Sequence, residues 1–189
     1  MGKIISLVNQ KGGVGKTTTS INLAASLGIL GKKTLLVDLD PQGNTTTGVG
    51  IEKGDLKVSL YDALIGAVEP SKSIKKTKFK NLDLIPSSMK LAGIEIEFVD
   101  KQHSDPTFSK GSQLKRVLYE VRDNYDYILI DCPPSLGILT INALTASDSV
   151  LIPVQCEYFA LEGIMQLLNT ITQARKSLNP NLEIEGVVL

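Results

Sequence analysis

The chain has 189 residues, of which 42% are hydrophobic and 21% are charged, the balance of an ordinary globular domain with a substantial core. Its 20 basic and 20 acidic residues cancel, so the net charge does not indicate nucleic-acid binding, which would need a local basic patch. No signal peptide is apparent and no apolar run approaches the roughly 18 residues of a membrane span. With two distant cysteines, Cys132 and Cys156, we expect a cytoplasmic protein with free thiols.

The first strong pattern is a glycine-rich run between a predicted strand over residues 3–8 and a predicted helix over residues 17–30. The strand is apolar, and the helix carries small and apolar residues at helical spacing before Gly31. Between them stands the run KGGVGKTT, residues 11–18. Strand, glycine-rich turn and helix form the context of a phosphate-binding loop. The alternative is a flexible turn flanked by solvated lysines.

Each residue type in this run suits a polyphosphate. The glycines let the main chain approach a ligand closely, and successive N–H groups and the helix dipole create an anion site. We predict that Lys16 follows the β- and γ-phosphates, that the Thr17 hydroxyl ligates Mg²⁺ and that Thr18 serves the α-phosphate side. The predicted nucleotide-binding residues are Lys11, Gly12, Gly13, Val14, Gly15, Lys16, Thr17 and Thr18.

A second predicted strand, residues 32–38, runs into the loop LDPQGN. Ligands of open parallel sheets lie beyond the carboxyl ends of the strands, which places Asp40 near a γ-phosphate. There Asp40 could orient or polarise an attacking water. The alternative is an aspartate that caps a tight turn. Residues 45–57 are polar and contain glycines, and they predict a surface loop.

The middle of the chain predicts scaffold elements. A short helix begins after Ser59, its N-cap, and ends at Gly66. A strand covers residues 82–86, and helices cover residues 91–99 and 114–121. These elements continue the alternation of strands and helices.

Two polar stretches of this region predict connectors. The lysine-rich run of residues 72–80 could touch phosphates, but a solvated connector is the favoured interpretation. The segment KQHSDPTFSKGSQL, residues 100–113, predicts a mobile surface loop. It contains the only histidine, His103, which we leave out of the mechanism.

Residues 125–131, YDYILID, form the second segment of the predicted site, after the glycine-rich run. The apolar strand delivers Asp131 to the carboxyl edge of the sheet, in the form of a Walker B strand. A carboxylate there can hold Mg²⁺, usually through water. The run CPPSLG follows, in which two prolines stiffen the backbone and Gly137 can hinge it.

The last predicted elements are a strand over residues 149–153, a bridge over residues 155–163, a helix over residues 164–178 and a strand over residues 184–189. The whole pattern predicts a doubly wound α/β fold with a mostly parallel sheet, that is, a P-loop NTPase fold.

The run KGGVGKT departs from the general pattern GxxxxGK[ST], because Gln10 stands where the first glycine would be and Lys11 adds a second lysine. It resembles the deviant Walker A motif of the ParA/MinD family of ATPases. The run LLVDLDPQGN resembles switch I of ParA-type proteins, whose second aspartate is the hydrolytic one and maps to Asp40, and CPPSLG resembles switch II. The stretch PVQCEYFALEG is more similar to chromosomal ParA (Soj) proteins than to MinD. The resemblance covers essentially the whole chain, which looks like about three-quarters of a full ParA.

This resemblance implies a Mg-ATP-dependent ATPase that segregates chromosomes or plasmids. In it, ATP drives dimerisation, the ATP-bound homodimer binds DNA non-specifically, and a ParB-like protein stimulates hydrolysis. Lys11, which would reach the nucleotide of the partner subunit, joins Lys16 and Asp40 as the expected catalytic residues, with Thr17 and Asp131 as the expected metal ligands. We further expect a nucleoid-associated cytoplasmic protein without membrane contact. Residues 1–189 would form a single ATPase domain whose adenine and DNA contacts lie in a C-terminal part that is absent.

Three other interpretations stay open. A MinD-like membrane-cycling ATPase shares the loop but needs a basic amphipathic C-terminal helix. A nitrogenase-type iron protein needs two cluster cysteines, and the prolines after Cys132 depart from that pattern. A nucleotide-gated binding module with negligible turnover would not need Asp40.

Overall fold

The fold is built on one twisted sheet. The computed structural model describes residues 1–156 and 160–189, without the side chains of residues 160–162. Within these residues seven strands form the sheet, in the order β3-β4-β2-β5-β1-β6-β7. The strands are β1 (Lys3–Leu7), β2 (Thr34–Asp38), β3 (Lys75–Lys76), β4 (Leu82–Ile85), β5 (Tyr127–Asp131), β6 (Ser149–Pro153) and β7 (Glu183–Val188). Only β3 pairs antiparallel among the described strands, so the predicted doubly wound, mostly parallel sheet is confirmed.

Helices cover both faces of this sheet. They are α1 (Lys16–Ile29), α2 (Asn44–Gly48), α3 (Leu60–Leu64), α4 (Pro70–Ser73), α5 (Ile94–Ser104), α6 (Gln113–Tyr119), α7 (Ile138–Ala146) and α8 (Ala160–Ser177). Neighbouring strand residues alternate between two apolar cores: Ile5 joins the core under α1, and Ile4 joins the larger core on the opposite face. Burial on both faces explains why these strands are continuous apolar runs.

Several local predictions are confirmed. Ser59 caps α3 in a capping box with Asp62. The predicted apolar face of α5 is buried, since Ile94 and Phe98 are almost inaccessible. The predicted bridge of residues 155–163 includes residues 157–159, which lie outside the described part of the chain.

The prediction of a surface loop over residues 45–57 is wrong at its start. Residues 44–48 form α2, in which Thr45 and Thr46 are completely buried. Three consecutive threonines show no apolar period, and threonine is a weak helix former, so the sequence carried no helix signal. Hydrogen bonds from Thr45 and Thr46 to two buried carboxylates attach this helix to the ends of β5 and β2.

Other elements also differ from the prediction. The predicted loop over residues 100–113 is wrong for residues 100–104, which extend α5, and for Gln113, which begins α6. The lysine-rich run of residues 72–80 includes the end of the short helix α4 and the antiparallel strand β3. Helix α7 was not predicted, because seven of its nine residues are buried and a helix apolar on all sides shows no amphipathic period.

The register of the three central strands decides where chemistry can occur. Leu7 at the end of β1 and Asp38 at the end of β2 both pair with Asp131 at the end of β5. The loops that follow these strands therefore emerge at one edge of the sheet. Among the described residues, no helix combines the length and apolarity that crossing a bilayer requires.

Candidate nucleotide-binding and hydrolysis site

The glycine-rich loop connects β1 to α1 and has a backbone that only glycine adopts readily. Gly13 and Gly15 have φ angles of 76° and 87°. A Cβ would meet nothing closer than 3.9 Å at Gly15 and nothing within 4 Å at Gly13, so the backbone angle, not space, requires glycine there. Within the described residues, no side chain caps the first turn of α1. Its N–H groups are therefore available to an anion.

Contacts with the end of β6 and the residues after it fix the loop. The Asn9 side chain donates to the Pro153 carbonyl at 2.7 Å and accepts from the Lys11 N–H at 2.9 Å. The Gln155 side chain donates to the Gly13 carbonyl at 2.9 Å. Val14 is buried. The end of β6 and the residue Gln155 beyond it therefore hold the loop from one side, so the concavity is preformed.

Lys16 is the first residue of α1 and lies across this concavity. It is 7% exposed, and its Nζ donates to the Lys11 carbonyl at 2.9 Å. Burial lowers the pKa of Lys16, and the attraction of Asp131 opposes that change. A buried ammonium bonded to a neutral carbonyl favours the arrival of an anion.

Asp131 is the hub of the site. Its Oδ2 accepts hydrogen bonds from the hydroxyls of Thr17 at 2.8 Å and Thr45 at 2.6 Å, and its Oδ1 accepts one from Ser20 at 3.1 Å. It is 1% exposed. Burial raises the pKa of Asp131, and the three hydroxyl bonds oppose that rise.

The pair Thr17 and Asp131 suits a magnesium ion. Both supply oxygen, the ligand that Mg²⁺ prefers, and Mg²⁺ is commonly held by one or two carboxylates together with phosphates and waters. In the described part of the chain, no three acidic, histidine or cysteine side chains group together as a metal cage. Phosphate oxygens and waters would therefore complete the coordination.

The segment after β2 carries two aspartates with different surroundings; we call residues 38–48 the β2–α2 segment. Asp38 is completely buried, and its Oδ2 accepts from the N–H and the hydroxyl of Thr46 at 2.7 and 2.6 Å. Its Oδ1 has no hydrogen-bond partner among the described residues. Burial raises the pKa of Asp38 to about 7.

Asp40 lies two residues further, half-buried at the start of a turn. Its Oδ1 accepts from the Gln42 N–H at 2.9 Å. Its carbonyl accepts from the Gly43 N–H at 2.9 Å and from the Ser87 hydroxyl. The turn-capping contact weighed from the sequence is thus present, and it fixes the carboxylate of Asp40 on the rim of the site.

The remaining predicted residues lie on the outer face of the loop. Gly12 and Thr18 are exposed, and Lys11 is half-buried. Lys11 borders an open cleft of about 680 Å³ between the loop, the CPPSLG run and α8. The cleft is lined by Gln10, Lys11, Pro134, Ser135, Leu136, Gly163 and Gln166.

Sequence reasoning missed five residues of this site, namely Ser20, Asp38, Thr45, Thr46 and Ser87. A useful signal would have been the position of Asp38 as the last residue of a buried strand, since a carboxylate there needs donors nearby. The threonines that supply those donors follow within ten residues. The sequence gives no comparable signal for Ser87, because the packing of β4 beside β2 places it.

The glycine loop, the buried lysine at the helix start and the Thr17–Asp131 pair define a P-loop nucleotide-binding protein. Comparison with known families agrees: a family profile described as an AAA domain matches residues 2–184. The chain is 61% identical over 189 residues to the sporulation initiation inhibitor protein Soj of Bacillus subtilis (strain 168), covering 100% of this chain and 72% of that protein. It is 49% identical to the chromosome partitioning protein ParA of Caulobacter vibrioides (strain NA1000 / CB15N), covering 99% and 68%.

A solved structure is also similar. Cobyrinic acid a,c-diamide synthase from Mycobacterium smegmatis, with a bound ATP analog and magnesium, superposes with a TM-score of 0.92 at 39% identity, covering 100% of this chain and 72% of that one. The chain belongs to the ParA/MinD family of P-loop ATPases with a deviant Walker A motif. It is a ParA-type partitioning ATPase, and the family resemblance noted in the sequence is confirmed.

Proposed function

We propose that this chain binds Mg-ATP at residues 11–18 and hydrolyses it to drive a partitioning cycle. The observation that carries the proposal is the hydrogen bond between Thr17 and Asp131, which joins the phosphate loop to the Walker B strand beside the buried Lys16. The similar structure with an ATP analog and magnesium supports the choice of ligand.

Each residue then has a distinct role. The loop N–H groups and the start of α1 bind the phosphates. Lys16 exchanges its bond to the Lys11 carbonyl for the β- and γ-phosphate oxygens. Thr17 and Asp131 hold Mg²⁺, which when bound neutralises charge on the phosphate oxygens.

Asp40 is proposed to orient the attacking water. Its carboxylate lies on the rim of the site, where a γ-phosphate would be approached from outside the loop. The bond from the Gln42 N–H leaves a second carboxylate oxygen of Asp40 for a water molecule.

The proposal of a partitioning cycle is based on membership of the ParA/MinD family. We propose that ATP binding produces a two-fold dimer, that Lys11 of each subunit reaches the nucleotide of the other, that the dimer binds DNA non-specifically and that a ParB-like protein stimulates hydrolysis. The position of Lys11 on the rim of an open cleft supports a contact outside its own loop. This cycle would place the protein in the cytoplasm on the nucleoid.

We also propose that residues 1–189 act as a single ATPase domain. Two apolar cores on the two faces of one sheet support this division.

The test is an ATPase assay of the protein as its gene encodes it, with Mg-ATP or with ATP and EDTA. Sedimentation and DNA retention are measured in parallel. We expect Mg²⁺-dependent turnover, ATP-dependent dimers and DNA retention in the ATP state alone, with a higher rate when a ParB-like partner is added. DNA retention that is equal with ATP, with ADP and without nucleotide would refute the proposed cycle.

A further inference from the structure

We infer that Thr46, a buried threonine of α2, is a positioning residue for hydrolysis: it fixes Asp40 through a hydrogen-bonded chain that runs from Asp38 to Ser87. This inference rests on the role proposed above for Asp40. The experiment below is therefore chosen to distinguish a failure of that role from a failure of the inference.

The chain of contacts starts at the end of β2. Both donors of Thr46, its N–H and its hydroxyl, point to the same oxygen of Asp38 at 2.7 and 2.6 Å. The same hydroxyl oxygen accepts from the Ser87 N–H at 3.0 Å. Thr46 therefore links the last residue of β2 to the loop after β4, using its hydroxyl as donor and acceptor at once.

Ser87 connects Thr46 to Asp40. Its hydroxyl donates to the Asp40 carbonyl, and its N–H is the group held by Thr46. The three linking residues, Asp38, Thr46 and Ser87, are at most 1% exposed, whereas Asp40 lies at the rim. A buried anchor thus holds a rim residue, the arrangement expected where a reacting group must be kept within a fraction of an ångström.

The adjacent threonine makes a different connection. Thr45 donates to Asp131, the proposed metal ligand, and makes no hydrogen bond to Asp38 or Ser87 in the described part of the chain. Consecutive residues of one short helix are thus bonded to two different carboxylates. If Thr46 positions Asp40, its loss should change turnover without changing nucleotide affinity.

The first variant is Thr46→Val, which keeps the side-chain shape and the main-chain N–H but removes the hydroxyl. We expect the kcat for Mg-ATP to fall by at least about tenfold, because both hydrogen bonds of the hydroxyl, the one to Asp38 and the one from Ser87, are lost. The Kd for Mg-ATP measured by calorimetry should stay within about twofold, because the Thr46 hydroxyl bonds to Asp38 and Ser87 and, among the described residues, to none of the proposed nucleotide-binding residues 11–18. Thr46→Ser should restore most of kcat, and Thr47→Val, an exposed neighbour on the same helix, should match the wild type.

A double-mutant cycle with Asp40→Ala makes the test specific. If Thr46 acts through Asp40, then Thr46→Val should not slow turnover further in the Asp40→Ala background. Ser87→Ala is the second variant, to be used if Thr46→Val does not fold. It keeps the main-chain N–H but removes the hydroxyl bonded to Asp40, and it should lower kcat in the same way.

The outcomes separate the two claims. Wild-type turnover in Asp40→Ala would refute the proposed role of Asp40 itself. A slow Asp40→Ala with wild-type kcat in Thr46→Val, or in Ser87→Ala when the former does not fold, would overturn only the inference about Thr46. An additive loss in the double variant, or no rescue by serine, would also overturn it.

Discussion

The phosphate loop and the β2–α2 segment both connect a buried strand to a helix, but they are held by different groups. The loop runs from β1 to α1, and the segment runs from the last residue of β2 through α2. The loop depends mainly on its backbone, through left-handed glycines and a first turn of α1 that no side chain caps among the described residues. The β2–α2 segment depends on side chains, through threonine hydroxyls on Asp38 and Asp131. A backbone conformation that requires glycine can be recognised in a sequence. A side-chain hydrogen-bond network is harder to recognise, because its partners lie far along the chain.

The largest effect should come from the loop. We expect Lys16→Ala to abolish measurable hydrolysis and to weaken Mg-ATP binding by roughly 10–100-fold, because a charge-assisted contact to phosphate is lost. Calorimetric titration with Mg-ATP gives the affinity. Lys32→Ala removes an exposed lysine just beyond α1 and should behave as wild type. Unchanged affinity together with unchanged hydrolysis in Lys16→Ala would refute the phosphate-loop assignment.

In the β2–α2 segment, we expect Asp40→Ala to separate binding from turnover. Loss of a water-orienting carboxylate should lower kcat by roughly 10²–10⁴-fold while the affinity for ATP survives. Single-turnover kinetics and calorimetry measure the two quantities, and the ATP-bound dimer should persist in sedimentation. A wild-type rate would refute the water-orienting role and favour a turn-capping role for the Asp40 carboxylate, which accepts from the Gln42 N–H.

A mixing experiment tests whether the loop acts across a dimer. Lys11→Ala should keep monomer ATP binding but weaken ATP-dependent dimerisation and slow hydrolysis, at or below the lower end of the roughly 10³–10⁵ range of arginine fingers. In a mixed dimer with Asp40→Ala, the site on the Lys11→Ala chain has its own Asp40 and receives Lys11 from its partner. We therefore expect turnover to recover. No recovery in verified heterodimers would mean that Lys11 acts within its own chain or not at all.

The smallest expected effect is on stability and concerns Asp38. Burial raises its pKa from 3.8 to about 7, so between these pH values the folded state binds a proton that the unfolded state has released. Stability should therefore fall as pH rises through this window. We expect Asp38→Asn to remove a pH-dependent loss of about 1–3 kcal/mol.

Urea unfolding from pH 4 to pH 8 with EDTA present measures this slope. The matched control is Asp55→Asn, which removes an exposed carboxylate and should keep the wild-type pH dependence. If wild type and Asp38→Asn show equal slopes, the ionisation of Asp38 does not contribute to the pH dependence of stability.

The sequence predicts the parts of the site that depend on glycines and apolar runs, and it does not predict the parts that depend on side-chain hydrogen bonds. The run of glycines and Lys16 located the loop, and the apolar run before Asp131 located the Walker B strand. The role of Thr45 was not visible, because its partner Asp131 lies 86 residues away. Helix α7 was missed because burial on all sides removes the amphipathic pattern that reveals a surface helix.

The register of β1, β2 and β5 has a consequence for how the protein acquires its site. The bond between Thr17 and Asp131 joins residues 114 positions apart, and β5 inserts between β1 and β2, which precede it in the chain. Closing so long a loop costs entropy before any contact is gained, and such non-local pairings form slowly. A nascent chain on the ribosome therefore cannot form the Thr17–Asp131 bond until β5 has emerged and joined the sheet.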